Sequence, residues 1–431
     1  MPNEVSLSGE KSMADVLLVR PSRLEGTIAI SGAKNSALRL LAASILTSDD
    51  ILLENAPTEL IDFKIHIQML ELLGKSCEVH SGQVKITEGH LIEENLNWQG
   101  QSIRNTLLIF GALLARLGRA SVPLPGGCTI GERKYDLHQL VLESLGATIW
   151  EESGCLYGEA PKGLVGAEIH LPLRSTGATE NGIIAGSLSS GTTTIWNPHL
   201  RPEILDLIAM LRSMGARIEV YGQERIVIHG SSELRGSHHR VIPDNVEAMT
   251  YLVGAAITHG DVEIKNFPFD HLEVPLIHLR ESGVRFFRGK DNLIVKGGAT
   301  YPVEISTGPY PGINSDMQPL FAVFGLTSPG ESRITDLRFP DRFAYALELQ
   351  KIGGNLQIRD NLLILRGGNT LQGTDVTALD LRCGAALVLA GLIADGETRI
   401  YKPDQIHRGY ENIDTKLRSL GAQIDYDCIQ K

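Results

Sequence analysis

The chain carries one short motif six times at a nearly constant spacing. Leu-Gly-Ala, or a close variant of it, ends a helical pattern at each copy, and the intervals are 72, 69, 68, 70 and 68 residues. A fixed period of this kind indicates one supersecondary unit used repeatedly. The glycines of the motif are Gly74, Gly146, Gly215, Gly283, Gly353 and Gly421. We therefore expect six similar units in which equivalent residues can be compared.

The third unit shows the local pattern most clearly. Residues 166–173 alternate between apolar and polar side chains, as a half-buried strand does, and Ser and Thr then stand where a helix cap belongs. An apolar helix (182–188), a β-rich run (190–196) and a second helix (202–214) follow, and the next glycine suits a left-handed C-cap. Such alternation usually indicates a doubly wound parallel sheet. Six units with two helices each suggest instead helices inside and short sheets outside, and periodicity alone does not separate these two α/β architectures.

The composition limits the cellular setting and the partners. A formal charge of −11 without a long basic run argues against nucleic acid and anionic membranes. The five cysteines are widely spaced and the histidines lack metal spacing, so a disulfide scaffold or zinc site is not expected. The N-terminus is polar, and the longest apolar runs are too short to span a bilayer. A cytoplasmic protein is therefore predicted.

Charged or hydroxyl side chains begin the first helix of every unit, 37 to 42 residues before the closing glycine. Helix N-termini present free N–H groups and the positive end of the dipole, so six that converge would form an anion site. A cation at a helix start opposes the dipole, and capping explains Asp and Ser better than Lys and Arg. Three cations at equivalent places therefore favour a bound polyanion. The six positions hold Lys34, Arg104, Ser175-Thr176-Gly177, Asp244, Asp316 and Arg382.

The segment Leu-Pro-Gly-Gly-Cys-Thr-Ile-Gly-Glu-Arg (124–133) is predicted to be a loop that carries a reactive thiol. Its proline and glycines favour irregular backbone, and loops carry function more often than cores do. Cys128 lies five residues from Arg133, and a nearby cation lowers a thiol pKa from its usual value of about 8.5. The other four cysteines are expected to have no such role.

Six segments of the chain together resemble UDP-N-acetylglucosamine enolpyruvyl transferases, a branch of the EPSP synthase-like superfamily. The resemblance runs from about residue 16 to 426, and the cysteine loop separates this branch from the shikimate-pathway enzymes. The segments are Ser-Gly-Ala-Lys-Asn (31–35), Pro-Gly-Gly-Cys-Thr-Ile-Gly-Glu-Arg (125–133), Ser-Asp-Met-Gln (315–318), Asp-Arg-Phe (341–343), Asp-Leu-Arg (380–382) and Arg-Gly-Tyr-Glu (408–411).

The resemblance implies an inside-out α/β barrel, with helices inside and short sheets outside. It implies two similar domains of three repeated units each. The first domain, with the Cys128 loop, would span residues 34–242. The second would comprise residues 14–33 plus 243–431, after a polar extension (1–13). Hinges would lie where the chain crosses between the domains.

The resemblance also implies a reaction that needs no metal or organic cofactor. Phosphoenolpyruvate would bind between the domains, an acceptor hydroxyl would attack C2, and C3 would be protonated to give a tetrahedral phospho-ketal. Loss of a C3 proton and of phosphate would leave an enol ether. The implied acceptor is a uridine nucleotide, UDP-N-acetylglucosamine, whose sugar 3-hydroxyl is modified in the first committed step of peptidoglycan precursor synthesis.

The matching positions carry roles that the resemblance implies. Cys128 would protonate C3, and Asp316 would accept the proton of the attacking hydroxyl, with Lys34 and Arg408 also counted as catalytic. The implied phosphoenolpyruvate-binding residues are Lys34, Arg104, Arg133 and Arg408 on the phosphate side and Arg342 and Arg382 on the carboxylate side. The implied acceptor-binding residues are Asn35, Arg133, Asp136, Leu137, Ser175, Thr176, Gly177 and Asp316.

Departures from the family pattern cluster on the acceptor side of the site. They leave three interpretations open. The protein is a divergent member with the usual acceptor, a paralogue that uses another uridine nucleotide such as UMP through its 3′-hydroxyl in nucleoside-antibiotic biosynthesis, or a catalytically silent binding protein. The departures are Lys134, Leu173, Arg201, Asn245, Arg338 and Pro340. The oligomeric state is not predicted.

Overall fold

The computed structural model describes residues 16–101, 103–125 and 135–427. Within these residues the helices are α1 (Lys34–Ala43), α2 (Ile61–Leu72), α3 (Thr106–Leu117), α4 (Asp136–Ser144), α5 (Thr176–Gly186), α6 (Pro202–Ser213), α7 (Asn245–Ile257), α8 (Phe269–Glu281), α9 (Gln318–Thr327), α10 (Ala344–Lys351), α11 (Leu381–Gly391), α12 (Asp404–His407) and α13 (Ile413–Ser419). Two 3₁₀ turns cover Ser44–Leu46 and Ser315–Met317.

The strands of the described residues are short and mostly come in pairs after the second helix of a unit. They are β1 (Val16–Arg20), β2 (Glu25–Ala29), β3 (Ile51–Glu54), β4 (Lys75–His80), β5 (Gln83–Glu88), β6 (Arg119–Pro123), β7 (Thr148–Glu152), β8 (Cys155–Glu159), β9 (Glu168–His170), β10 (Thr192–Trp196), β11 (Arg217–Tyr221), β12 (Arg225–His229), β13 (Ser237–Arg240), β14 (Asp261–Lys265), β15 (Arg285–Arg288), β16 (Asn292–Lys296), β17 (Glu304–Ser306), β18 (Gly330–Thr335), β19 (Leu356–Arg359), β20 (Leu362–Gly367), β21 (Asp375–Thr377), β22 (Thr398–Tyr401) and β23 (Gln423–Asp427).

These strands form six small sheets with one shared pattern. In each four-stranded sheet one outer strand runs parallel to its neighbour, and the other pairings are antiparallel. The three-stranded sheet lacks the parallel strand, but Asn95 bridges to Ser121 of β6 in parallel at that place. The orders are β13-β3-β5-β4, β6-β8-β7, β11-β12-β10-β9, β15-β16-β14-β2, β17-β18-β20-β19 and β21-β22-β1-β23. The mixed pattern excludes a doubly wound parallel sheet.

The buried apolar side chains fall into two separate cores. One extends from Ala37 to Val241, and the other combines residues 17–30 with residues 246–424. The first helix of each unit is buried on nearly every side, and all thirteen residues of α7 are buried, as expected of a helix that is apolar all round. The closed barrel and the exact domain boundaries stay predictions.

The chain passes between the two cores at two adjacent places. The strands β1 and β2 pair with strands from the end of the chain and from the fourth unit, whereas β13 returns to pair with β3. The two crossing segments are hydrogen-bonded to each other. Ala33 N donates to Ile242 O at 2.7 Å, and Asp244 N donates to Ser31 O at 2.9 Å.

Polar side chains join the second helix of each of the first three units to the first helix of another unit. The contact from the third unit returns to the first, so the three units close on themselves. The pairs are His66 Nδ1 with Asn105 Nδ2 (3.0 Å), His138 Nδ1 with Asn181 Nδ2 (3.2 Å) and Asp206 with Ser36 Oγ. Burial lowers the pKa of both histidines to about 3, so each remains a neutral hydrogen-bonding group.

The repeated glycines follow the prediction, whereas the third unit differs in detail. The six motif glycines have φ between +88° and +108°, the left-handed conformation of a helix C-cap. The strand β9 is shorter than predicted, and α5 begins at Thr176, at the predicted helix start and six residues before the apolar stretch 182–188. Ser175 caps this helix by accepting a hydrogen bond from Ala178 N at 3.4 Å, so most of the hydroxyl-rich stretch is helical. None of the described helices is long and apolar enough to cross a membrane.

The crossing segments leave no room for a side chain at Gly32, because a Cβ there would lie 1.7 Å from Asn55 O. We expect Gly32→Ala to lower the free energy of unfolding by about 1–3 kcal/mol or more, measured by denaturant titration. Gly308→Ala is the matched control, because a Cβ at Gly308 meets nothing within 4 Å. Equal stability of the two variants would contradict this prediction.

Candidate active site

Lys34 and Arg408 contact the same carboxylate, although they come from opposite ends of the chain. Lys34 is the first residue of α1, and Arg408 follows α12 directly. Lys34 Nζ lies 2.7 Å from Asp62 Oδ2, and Arg408 Nε lies 2.9 Å from Asp62 Oδ1. Because Asp62 lies on α2, this ion triad joins the parts of the chain that form the two cores.

The charges in this triad act on one another strongly because they are shielded from water. Lys34 is 7% exposed and Asp62 is 4% exposed. Burial lowers the pKa of Lys34; Asp62 offsets part of that effect, while Arg382 and Arg408 add to it. Burial would raise the pKa of Asp62, but Lys34 and Arg408 outweigh it and hold this pKa below its ordinary value. Arg382, which belongs to a second pair of cations, lies close enough to lower the pKa of Lys34.

That second pair, Arg342 and Arg382, faces Asp316. Arg342 Nη1 lies 2.7 Å from Asp316 Oδ1, and Arg382 Nε lies 3.5 Å from Asp316 Oδ2. Both arginines are buried, and the Arg382 guanidinium lies over the ring of Tyr410, 5.2 Å from its centroid. Asp380 caps α11 by accepting hydrogen bonds from the first turn, which fixes Arg382 at a helix start that the dipole alone would disfavour.

Three donor atoms of these arginines lack a well-aligned hydrogen bond within the described residues. Considering residues 16–101, 103–125 and 135–427, Arg342 Nη1 and Arg382 Nε and Nη1 have no aligned hydrogen-bond partner. Their approaches to Asp316 are therefore ion pairs rather than aligned hydrogen bonds. Buried charged donors are normally satisfied, and a planar carboxylate suits two guanidinium groups. The geometry fits the carboxylate of an anionic ligand.

Asp316 is held in its ionised form. Burial would raise its pKa, but the charges of Arg342 and Arg382 outweigh burial and keep the pKa far below the ordinary value. Asp316 lies in a 3₁₀ turn directly ahead of α9 rather than in the helix itself. A carboxylate engaged by two arginines is a weak base until another anion competes for them.

Three of the residues predicted to contact the acceptor, Ser175, Thr176 and Gly177, lie together at the start of α5. Thr176 Oγ1 lies 2.8 Å from His199 Nδ1, next to the Ser175 cap of α5. Gly177 packs against His138 so closely that a Cβ would lie 2.5 Å from Nε2 of that ring. This contact places the beginning of α4 beside the beginning of α5.

The other predicted positions differ in exposure. Asn35 is half-buried on α1, and its Oδ1 accepts a hydrogen bond from Arg39. Asp136 is exposed and Leu137 is half-buried in the first turn of α4. Arg104 precedes α3 by two residues rather than beginning it. Burial of His138 is the main cause of its low pKa, and the charge of Arg104 lowers that pKa further. Arg104 therefore lies on the side of the site where α4 and α5 begin.

Cys128 and Arg133, two of the predicted site residues, lie outside the described residues, as does Lys134. Their contacts therefore stay predictions. The described residues bring Lys34, Arg342, Arg382, Arg408 and Asp316 together, whereas Asp136 lies at the surface.

Asp62 is not among the residues predicted from the sequence, because only the starts of the first helices of the six units were compared with one another. Asp62 is in the first turn of α2, where an acidic residue also suits the helix dipole and is easily explained as a cap. The same comparison applied to the second helices would have found it.

Two acceptor-side departures surround His199. Burial, together with the charges of Arg201 and Arg338, lowers the pKa of His199 to about 4. Arg201 is paired with Glu203 through two hydrogen bonds of 2.7 and 2.8 Å. A cavity of about 30 Å³ is lined by His199 and Arg201 and, from the other core, by Asn245. Arg201 and Glu203 therefore form a buried ion pair beside His199, on the acceptor side of the site.

The chain is similar to known proteins along almost its whole length. The family model of EPSP synthase (3-phosphoshikimate 1-carboxyvinyltransferase) matches residues 18–417. A UDP-N-acetylglucosamine 1-carboxyvinyltransferase of Caldanaerobacter subterraneus is 42% identical over 402 residues, which is 93% of this chain and 96% of that protein. One from a Caulobacter species is 39% identical over 96% of this chain and 97% of its own length.

Solved structures show the same fold. The crystal structure of the enolpyruvyl transferase NikO from Streptomyces tendae has a TM-score of 0.87 at 25% identity, covering 96% of this chain and 99% of that one. An EPSP synthase from Acinetobacter baumannii has a TM-score of 0.75 at 18% identity, covering 96% and 100%, and supports the fold alone. With the family model matched along almost the whole chain, the protein belongs to the EPSP synthase (3-phosphoshikimate 1-carboxyvinyltransferase) family.

Proposed function

We propose that the protein transfers the enolpyruvyl group of phosphoenolpyruvate to the sugar 3-hydroxyl of UDP-N-acetylglucosamine and releases phosphate. This reaction is the first committed step of peptidoglycan precursor synthesis, and we expect it to take place in the cytoplasm. The observation that carries the proposal is the pair of adjacent cationic groups, Lys34 with Arg408 and Arg342 with Arg382. Phosphoenolpyruvate has an anion at each end, and the names of the relatives specify the same transfer.

The two cationic groups would hold the two ends of phosphoenolpyruvate. Lys34 and Arg408 would bind the phosphate, with Arg104 and Arg133 as further cations. Arg342 and Arg382 would bind the carboxylate through donor atoms that lack a well-aligned hydrogen bond among the described residues. Charge-assisted hydrogen bonds of this kind also stabilise negative charge that develops as phosphate departs.

Binding of the substrate carboxylate would change the state of Asp316. The carboxylate would compete with Asp316 for Arg342 and Arg382, which would raise the low pKa of Asp316. Asp316 would then accept the proton of the attacking hydroxyl, and Cys128 would protonate C3. Asp316 would also contact the acceptor, together with the residues predicted from the resemblance at the starts of α1, α4 and α5.

We also infer that the two cores are the predicted three-unit domains, residues 34–242 and residues 14–33 plus 243–431, each an inside-out barrel. The buried first helices and the polar contacts that close the first three units on themselves support this arrangement. Substrates would bind between the domains, where Asp62 meets Arg408.

The charge around His199 favours a second candidate acceptor. Arg201 and Arg338, two departures from the family pattern, lie close enough to His199 on the acceptor side to lower its pKa. An acceptor with a phosphate near this point, such as UMP modified at its 3′-hydroxyl, would use that charge. Its sugar would replace the amino sugar of the first candidate.

The acceptor can be decided by one assay. We expect phosphoenolpyruvate with UDP-N-acetylglucosamine to release inorganic phosphate, measured colorimetrically, and UMP to give only background release. Release with UMP alone would establish the second candidate. Tight phosphoenolpyruvate binding without release in either mixture would indicate a silent binding protein.

Replacing Arg382 by lysine keeps a positive charge but removes the planar pair of donors. We expect Arg382→Lys to lower kcat/KM for phosphoenolpyruvate about 10- to 150-fold, corresponding to the loss of about 1.5–3 kcal/mol for a charge-assisted hydrogen bond. Arg399→Lys is the matched control, because Arg399 is about half exposed and pairs with Glu397. If the two variants have equal kcat/KM for phosphoenolpyruvate, Arg382 does not bind the substrate carboxylate.

The predicted thiol can be tested independently of the described contacts. We expect Cys128→Ala to abolish turnover and any covalent phosphoenolpyruvate adduct seen by intact-protein mass spectrometry. Cys155→Ala is the control, since Cys155 is another free, half-buried cysteine that has no predicted role. Turnover that survives in Cys128→Ala would show that another group protonates C3.

A further inference from the structure

Asp62 has no part in the transfer chemistry proposed above, yet its carboxylate is shared by the two cations assigned to the phosphate. Lys34 Nζ and Arg408 Nε each contact a different oxygen, at 2.7 and 2.9 Å. Lys34 is buried, and like charges placed side by side in a poorly solvated site repel strongly. The shared carboxylate opposes that repulsion across the boundary between the two cores.

Other nearby carboxylates do not replace Asp62. Asp244 is close to Lys34, but its Oδ2 accepts from the Lys34 backbone N at 3.2 Å, and its Oδ1 caps α7. Asp316 is engaged with the two arginines on the carboxylate side. The Lys34 ammonium group therefore depends on Asp62 for its counter-charge among the described residues.

We propose that Asp62 is a positioning residue, which holds Lys34 and Arg408 side by side on its two oxygens so that both face the phosphate of the substrate. The proposal rests on the proposed function for the identity of that substrate. The phosphate would bind to the remaining donor atoms of the same two cations, while Asp62 keeps their spacing. Asp62 itself need not touch phosphoenolpyruvate.

This arrangement has a consequence for protonation. The charged groups that act on Lys34 are Asp62 on α2, Arg382 on α11 and Arg408 after α12, with Asp244 at the start of α7. Burial and the two arginines lower the pKa of Lys34, and Asp62 raises it. Removal of the Asp62 charge would therefore lower the Lys34 pKa further, so that Lys34 would lose its proton at a lower pH.

The pH dependence of kcat/KM for phosphoenolpyruvate tests the proposal, because it reports ionisations of the free enzyme. We expect Asp62→Asn to lower the Lys34 pKa, the effect of losing an adjacent opposite charge, so that Lys34 rather than the Cys128 thiol sets the alkaline limb and the limb moves to lower pH by about 1–3 units. Glu88→Gln is the matched control. Glu88 also bridges a lysine and an arginine, Lys75 and Arg116, at 3.1 and 2.8 Å. It contacts neither Lys34 nor Arg408, so the pH profile of Glu88→Gln should keep the wild-type alkaline limb.

A second substitution separates protonation from general disturbance. In the double variant Asp62→Asn with Lys34→Arg, the guanidinium keeps its charge across the assay range, so the alkaline limb should return to that of Lys34→Arg alone. An unchanged limb in Asp62→Asn, or a shift that Lys34→Arg does not reverse, would overturn the positioning role.

Inorganic phosphate binding, measured by calorimetry, tests the role without turnover. We expect Asp62→Asn to lose affinity on going from pH 7 to pH 9.5 by about tenfold or more relative to wild type, corresponding to at least one unit of pKa shift. If the wild-type protein binds phosphate but transfers no enolpyruvyl group, the proposed function is wrong, but the positioning role of Asp62 is not contradicted. Equal pH dependence in the two proteins, or no phosphate binding by wild type, would remove the Asp62 role.

Discussion

The burial of several cations in one cleft is the constraint on which the rest of the site depends. Lys34, Arg342 and Arg382 are all less than a tenth exposed, and an uncompensated buried charge costs several kcal/mol. The protein therefore supplies carboxylates at fixed places, with Asp62 between Lys34 and Arg408 and Asp316 between the two arginines. These carboxylates hold the cations in place while leaving donor atoms for a dianionic or trianionic ligand.

The repeated unit explains how such a cluster can be assembled. Each unit ends its second helix with a left-handed glycine and begins its first helix at a buried or half-buried position, so equivalent residues lie at equivalent places. Lys34 and Arg382 occupy such starts; Asp244 caps α7 beside Lys34, and Asp380 caps α11, the helix of Arg382 itself. Charge of both signs is thus brought together by backbone geometry rather than by flexible surface side chains.

Sequence reasoning could identify features that depend on local geometry. The six glycines and most of the helix starts were predictable because a C-cap and an N-cap are set by a few neighbouring residues. The pairing of β1 with β22 and β23, and the shared contact at Asp62, depend on segments hundreds of residues apart, which a single sequence does not place. The start of α5 at Ser175-Thr176 was likewise predictable, since a hydroxyl side chain suits an N-cap.

Strands that pair with partners far away in the chain determine the order in which the sheets can be completed. The strand β1 pairs with β22 and β23, so the sixth sheet requires the first described strand and the last one together. The first unit likewise needs β13 before its sheet has four strands. During synthesis, β1 must therefore wait until β22 and β23 have been made before its sheet can form. The first core needs only the residues up to β13 to complete its sheets, so it can fold earlier than the second.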